Sequence, residues 1–123
     1  MASTTEIAHL SKIRNAIGRA IALLDRLLEK HFKDAEDILW HAAEETEYAS
    51  SILSLTSGFN DYDPKFTDQE SLKAEFSKKL VRARLFLQEA DGLLQSDPRL
   101  SYEKLRYAVQ IVRGMSAKDS GCL

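Results

Sequence analysis

Apolar residues recur every three or four positions along most of the chain, a spacing that places them on one side of an α-helix. The first series predicts an amphipathic helix over about residues 5–32; it consists of Ile7, Leu10, Ile13, Ile17, Ile21, Leu24, Leu27 and Leu28. The second predicts a helix over about 34–55; it consists of Ala35, Ile38, Leu39, Ala42, Ala49, Ile52 and Leu53. Gly58 would end this helix, because glycine readily adopts the left-handed conformation.

The join between these two helices is open to two interpretations. The apolar spacing continues in phase through His31 without a Gly or Pro, so one continuous helix of about 50 residues also fits the pattern. We favour a break near 31–34. Asp34 can serve as an N-cap there, and the acidic residues that follow it would favour the positive end of a new helix dipole.

The second half of the chain predicts two more helices. Thr67 and Glu70 form a capping box that opens a third helix over about 68–95; its apolar positions are Leu72, Phe76, Leu80, Ala83, Leu87, Ala90 and Leu94. The fourth is predicted over about 102–115, with Ser101 as its N-cap and with Leu105, Val109, Val112 and Met115 on its apolar side. Asp97 and Pro98 can form a short helical turn ahead of it.

Four amphipathic helices must bury their apolar sides on one another, which predicts an all-α, antiparallel four-helix bundle. Residues 1–123 would form one domain, with a frayed tail over 116–123. Charge suggests a neighbour relation: a hairpin centred near Tyr62 would set the acidic cluster of the second helix against the basic cluster of the third. These clusters are Glu44, Glu45 and Glu47, and Lys78, Lys79 and Arg82.

Composition and charge argue against several classes of protein, namely nucleic-acid-binding, membrane-spanning, secreted and disulfide-bonded ones. The formal net charge of −2 lacks the basic excess typical of non-specific nucleic-acid binding. No apolar run approaches the ~20 residues that span a bilayer, and the first residues lack the pattern of a signal peptide. Cys122 is the only cysteine, so the chain cannot form an internal disulfide. The sequence therefore predicts a soluble cytoplasmic or nuclear protein that does not engage a membrane.

The sequence has few residues whose spacing fits a metal-binding or catalytic site. Glu6 and His9 have the spacing of a di-iron motif, but that site needs a second such pair and two further Glu residues. Asp37, His41 and Glu45 follow one helix face, which by itself supplies at most two good metal ligands. We interpret both sets as solvated helix surface, and the sequence predicts no catalytic residues, no metal site and no cofactor.

The remaining signal is a set of aromatic residues outside the apolar series: Trp40, Tyr48, Phe59 and Tyr62. Aromatic residues outside a core often anchor interfaces. The sequence therefore predicts a non-enzymatic helical protein–protein interaction or assembly module, either self-associating or a small subunit of a larger complex.

The alternative is an RNA- or nucleotide-handling helical protein. Arg26 and His31 have a spacing that is similar to the Arg-x4-6-His pattern of HEPN-type ribonucleases, a short pattern that is common by chance. That resemblance implies a pair that acts on an RNA 2′-hydroxyl and phosphate. The basic face of the third helix, with Lys78, Lys79 and Arg82, is the other place where RNA could bind.

Overall fold

The computed structural model describes residues 4–29, 34–59, 64 and 75–115. Its four helices are α1 (Thr4–Leu28), α2 (Ala35–Ser57), α3 (Phe76–Leu93) and α4 (Pro98–Arg113). The described residues contain no strand. The predicted all-α four-helix bundle is confirmed.

Each helix packs against two neighbours, and the four form a ring in the order α1, α2, α4, α3. Side-chain contacts show that neighbours are antiparallel. Along the α3–α4 seam, for example, Glu89 pairs with Lys104 and Phe86 contacts Tyr107, so one helix ascends as the other descends. It follows that α2 and α3 stand on one diagonal of the bundle and run in the same direction.

The connection from α2 to α3 must therefore pass from one end of the bundle to the other. Two contacts place it beside α4. The Phe59 ring lies 5.4 Å from the Tyr102 ring near the start of α4, and Gln110 Nε2 near its end donates to the backbone oxygen of Pro64 at 2.8 Å. Residues 60–63 and 65–74 lie outside the described residues, and with them Tyr62, Leu72 and the predicted capping box.

The predicted hairpin of the second and third helices is wrong. The acidic cluster of α2 instead meets its own ring neighbours: Glu45 accepts from Arg19 of α1, and Glu47 accepts from Arg113 of α4. Ion pairs at a surface are too weak to dictate which helices become neighbours. The long connection also removes the tight turn that the hairpin would have required.

The break between the first two helices is confirmed. α1 and α2 pack side by side in opposite directions, which one continuous helix cannot do. Asp34 occupies the N-cap position, although its side chain makes no capping hydrogen bond. At the other end of α2, Gly58 is left-handed, with φ of 78°, and its amide donates to the Ser54 carbonyl.

Two predicted helix starts need correction. Glu75 has extended backbone, with φ of −61° and ψ of 157°, so α3 begins at Phe76 rather than near residue 68. α4 begins at Pro98 rather than near 102, because the Asp97 side chain caps it by accepting from the Leu100 amide. Ser101 is therefore not the cap. It is buried inside α4 and donates to the Ala90 carbonyl at 2.7 Å.

The core sits where the four apolar sides meet. Its largest fully buried side chains include at least one from each of α1, α3 and α4, namely Ile17, Leu24, Leu80, Leu87, Leu105 and Ile111. α2 contributes Ile38, Leu39 and Leu53, together with small buried residues such as Ala42, Ala49, Thr46 and Ser50. α4 packs against both α2 and α3, and it is also contacted by Phe59 and Pro64.

Replacing Gly58 with Ala should lower the free energy of unfolding by about 1 kcal/mol, since a side chain is strained at a positive φ. The matched control is Gly92→Ala. Gly92 is exposed within α3 with open space around its Cα, so the added methyl should be neutral or stabilise the helix. Urea denaturation of both variants checks this, and an equal loss in the two would contradict the left-handed cap.

Candidate protein interaction surface

Each helix of the ring buries one side against two neighbours and turns the opposite side outward. On α2 this outward side carries Trp40, Tyr48 and Leu55, which are 53%, 47% and 75% exposed. Glu44 lies between the two aromatic residues, one helical turn from each, and Asp37 lies one turn before Trp40. We call these five residues the α2 outer face.

The predicted interaction residues do not form a single groove. Trp40 lies at the edge of α2 that borders α4, where it lines a shallow depression with Val112 and Met115. Tyr48 lies at the edge that borders α1, where it lines a second depression with His9 and Lys12. Phe59 is half-buried against the core, and Tyr62 lies outside the described residues. Two of the four therefore lie on the α2 outer face.

The chemistry of α2 is acidic. The helix has no Lys or Arg and has five carboxylates, Glu36, Asp37, Glu44, Glu45 and Glu47. Asp37 and Glu44 are exposed and form no ion pair within the described part of the chain. The outer face thus combines large apolar side chains with carboxylates that are available to a partner.

Glu47 is held differently. Arg113 donates to both of its carboxylate oxygens, at 2.8 and 2.6 Å. This hydrogen bonding lowers the pKa of Glu47 below its usual value, and the opposing effect of partial burial is smaller. The pair ties α4 to α2 beside the depression that Trp40 lines.

The residues predicted to contact RNA lie on different sides of the bundle. Arg26 is exposed at the end of α1, and His31 lies outside the described residues. Lys78 is exposed on α3 and Lys79 is half-buried. The Arg82 guanidinium carbon lies 4.7 Å from the centroid of the Phe86 ring, which places it towards α4 and away from Arg26.

The polar row Asp37, His41 and Glu45 does not form a metal centre within the part of the chain that the structure describes. Glu45 is engaged by Arg19, and His41 makes an edge contact with the Trp40 ring at 5.1 Å. No group of three or more His, Cys, Asp or Glu side chains converges within those residues. Among the same residues, no helix combines the length and apolar character that crossing a bilayer requires.

Comparisons with protein-family models, with curated proteins and with solved structures found no match.

The sequence analysis did not identify three exposed apolar residues as candidates for an interaction surface: Leu55 on α2, and Val81 and Leu85 on α3. The signal was present, because each falls on the side of its helix opposite the buried series. Val81 and Leu85 are 54% and 40% exposed and lie one turn apart, with Lys78 on the same side. We call Lys78, Val81 and Leu85 the α3 outer face.

Replacing Glu47 with Gln should destabilise the protein at neutral pH by no more than ~1 kcal/mol, because the pair with Arg113 is partly exposed. A carboxyl whose pKa is lowered by folding stabilises the native state above its unfolded pKa. The difference between wild type and variant should thus fade as the pH falls below about 4.5. Urea denaturation across the pH range measures it, and a difference that persists at pH 2 would contradict this role.

Proposed function

We propose that this chain is a non-enzymatic protein–protein interaction module that takes part in an assembly and docks its partner on the α2 outer face. One observation carries the proposal: Trp40, Tyr48 and Leu55 are large, apolar and exposed on the same side of one helix. Trp and Tyr are enriched among the residues that dominate binding energy, because they bury a large area with few rotatable bonds.

The contrast with other outward surfaces supports this choice. The outward side of α1 carries small and polar residues, including Asn15, Ala22 and Arg26. On α4 the connection covers part of the outward side, where Gln110 holds Pro64. In the described part of the chain, the exposed large hydrophobic residues all belong to α2 and α3. Apolar exposure confined to particular faces is typical of interaction surfaces.

The shape of the surface favours a protein over a small molecule. The depressions beside Trp40 and Tyr48 are open, and residues of two helices line each of them. Small-molecule sites are usually concave enough to enclose most of their ligand. A helix or a helix pair can instead lie along α2 and contact Trp40, Tyr48 and Leu55 together.

Replacing Trp40 and Leu55 together with Ala should abolish capture of the partner and leave the fold intact. Both side chains are exposed, so the free energy of unfolding should change by no more than ~0.5 kcal/mol. The matched control is Asn15→Ala with Arg26→Ala on the outward side of α1. Crosslinking in the cells that express the chain, then affinity capture and mass spectrometry, identifies the bound proteins, with a tagged and an untagged copy distinguishing self-capture.

The wild type and the control should capture the same proteins, and the Trp40/Leu55 variant should lose at least one of them. Retention of the full set by that variant would contradict the proposal, and so would a wild type that captures nothing.

A further inference from the structure

We propose that the partner is a second copy of this chain, bound head to tail, with the α2 outer face of one copy docked on the α3 outer face of the next. This inference rests on the proposed function, because it assigns the occupant of the α2 outer face.

The apolar surfaces match in kind. The α3 outer face offers Val81 and Leu85 as an exposed aliphatic pair, and the α2 outer face offers two aromatic rings and Leu55. Aliphatic side chains pack well against aromatic rings, and removing both from water is favourable. Each face therefore supplies the kind of surface that the other leaves uncovered.

The charges are complementary. Glu44 and Asp37 of the α2 outer face are exposed and form no ion pair within the described residues, and the same holds for Lys78 of the α3 outer face. The first ten residues of α3 carry four basic side chains and no acidic one; the basic set is Lys78, Lys79, Arg82 and Arg84. Of these, Arg84 is paired with Asp25 and Lys79 is half-buried, so Lys78 is the basic residue that the α3 outer face offers to the carboxylates of the α2 outer face.

The same charges disfavour symmetric pairing. Two α2 outer faces would bring Glu44 against Glu44, and two α3 outer faces would bring Lys78 against Lys78. Like charges in an interface select against that arrangement. Because α2 and α3 stand on one diagonal, their outer faces point in opposite directions. One copy cannot bring them together, so contacts between copies extend into a chain or close into a ring.

The interface is small. From Trp40 to Leu55 the α2 outer face is roughly 22 Å long, and a helix with its side chains is about 10 Å wide. Such a strip is smaller than the surface that stable complexes bury. The association should therefore be weak, should depend on protein concentration, and should weaken as salt screens the charges.

The test is sedimentation velocity of the full chain over about a hundredfold concentration range, from low to high micromolar, at two salt concentrations. A reducing agent keeps Cys122 from forming disulfides. The variants are Glu44→Lys, Lys78→Glu and the double variant that carries both. Arg26→Glu on the outward side of α1 is the control that matches the charge change of Lys78→Glu, and circular dichroism checks each fold.

The average mass of the wild type and of the Arg26→Glu control should rise with concentration. Each single variant should associate at least about fivefold more weakly than the wild type, because the substitution sets like charges against each other. An equimolar mixture of the Glu44→Lys and Lys78→Glu variants should recover the association, because the two substituted positions then carry opposite charges where they meet across the interface. The double variant should recover it as well, which excludes misfolding as the cause.

Several outcomes would overturn the inference. A wild type that stays monomeric throughout overturns it. The proposed function survives a monomeric wild type if, in the capture experiment, the Trp40/Leu55 variant loses a protein other than this chain. A Lys78→Glu variant that associates like wild type shows that α3 is not the occupant. Binding of single-stranded RNA to the α3 outer face of a monomer would assign that face to nucleic acid instead.

Discussion

The position of α4 between α2 and α3 is the constraint on which the other features of the bundle depend. α4 packs on α2 through the bidentate hydrogen bond of Arg113 to Glu47, and on α3 through the buried hydrogen bond of Ser101 to Ala90. With α4 in that place, α2 and α3 cannot be neighbours. The connection between them has to run the length of the bundle, and its described residues Phe59 and Pro64 contact α4.

This arrangement also decides which charges are used inside the molecule and which remain outside. Each seam of the ring has at least one ion pair; they are Arg19–Glu45, Arg84–Asp25, Lys104–Glu89 and Arg113–Glu47. Exposed pairs of this kind stabilise a fold by at most ~1 kcal/mol each. The order of the helices around the ring, and not these pairs, leaves Glu44 and Lys78 on opposite outer faces instead of facing each other.

Local sequence patterns predicted the helices well because burial of one helix side imposes a period on the sequence. Ile13, Ile17 and Leu24 of the first apolar series are buried, and Gly58 ends α2 as its lack of a side chain suggests. The cap of α4 was misplaced because Asp97 and Ser101 are both good capping residues, and burial within the bundle decided between them.

The order of helices around the ring could not be read from the sequence. A connection of this length can close a hairpin or cross the bundle, since extended chain covers about 3.3 Å per residue. The hairpin was predicted from charge alone, because the acidic cluster of the second helix and the basic cluster of the third would then face each other. The wrong helix order also concealed that the α2 and α3 outer faces are complementary. If α2 lay beside α3, as the hairpin requires, Glu44 and Lys78 would form an ion pair within one molecule. The two outer faces would then not be complementary between copies.

The order of the helices and the complementarity of the two outer faces both depend on the diagonal placement of α2 and α3, and one comparison of distances tests that placement most directly. Spin labels at Ser57 and Ser77, and separately at Ser57 and Gly92, would be measured by double electron–electron resonance with Cys122 replaced by Ser. All three labelled sites are exposed. Ser57 and Gly92 lie near one end of the bundle and Ser77 near the other. The Ser57–Ser77 distance should thus exceed the Ser57–Gly92 distance by about 12 Å, because the two sites on α3 are about 22 Å apart along the helix and α2 lies about 14 Å away across the diagonal. The reverse order of the two distances would show that α2 and α3 form a hairpin and would contradict the fold described here.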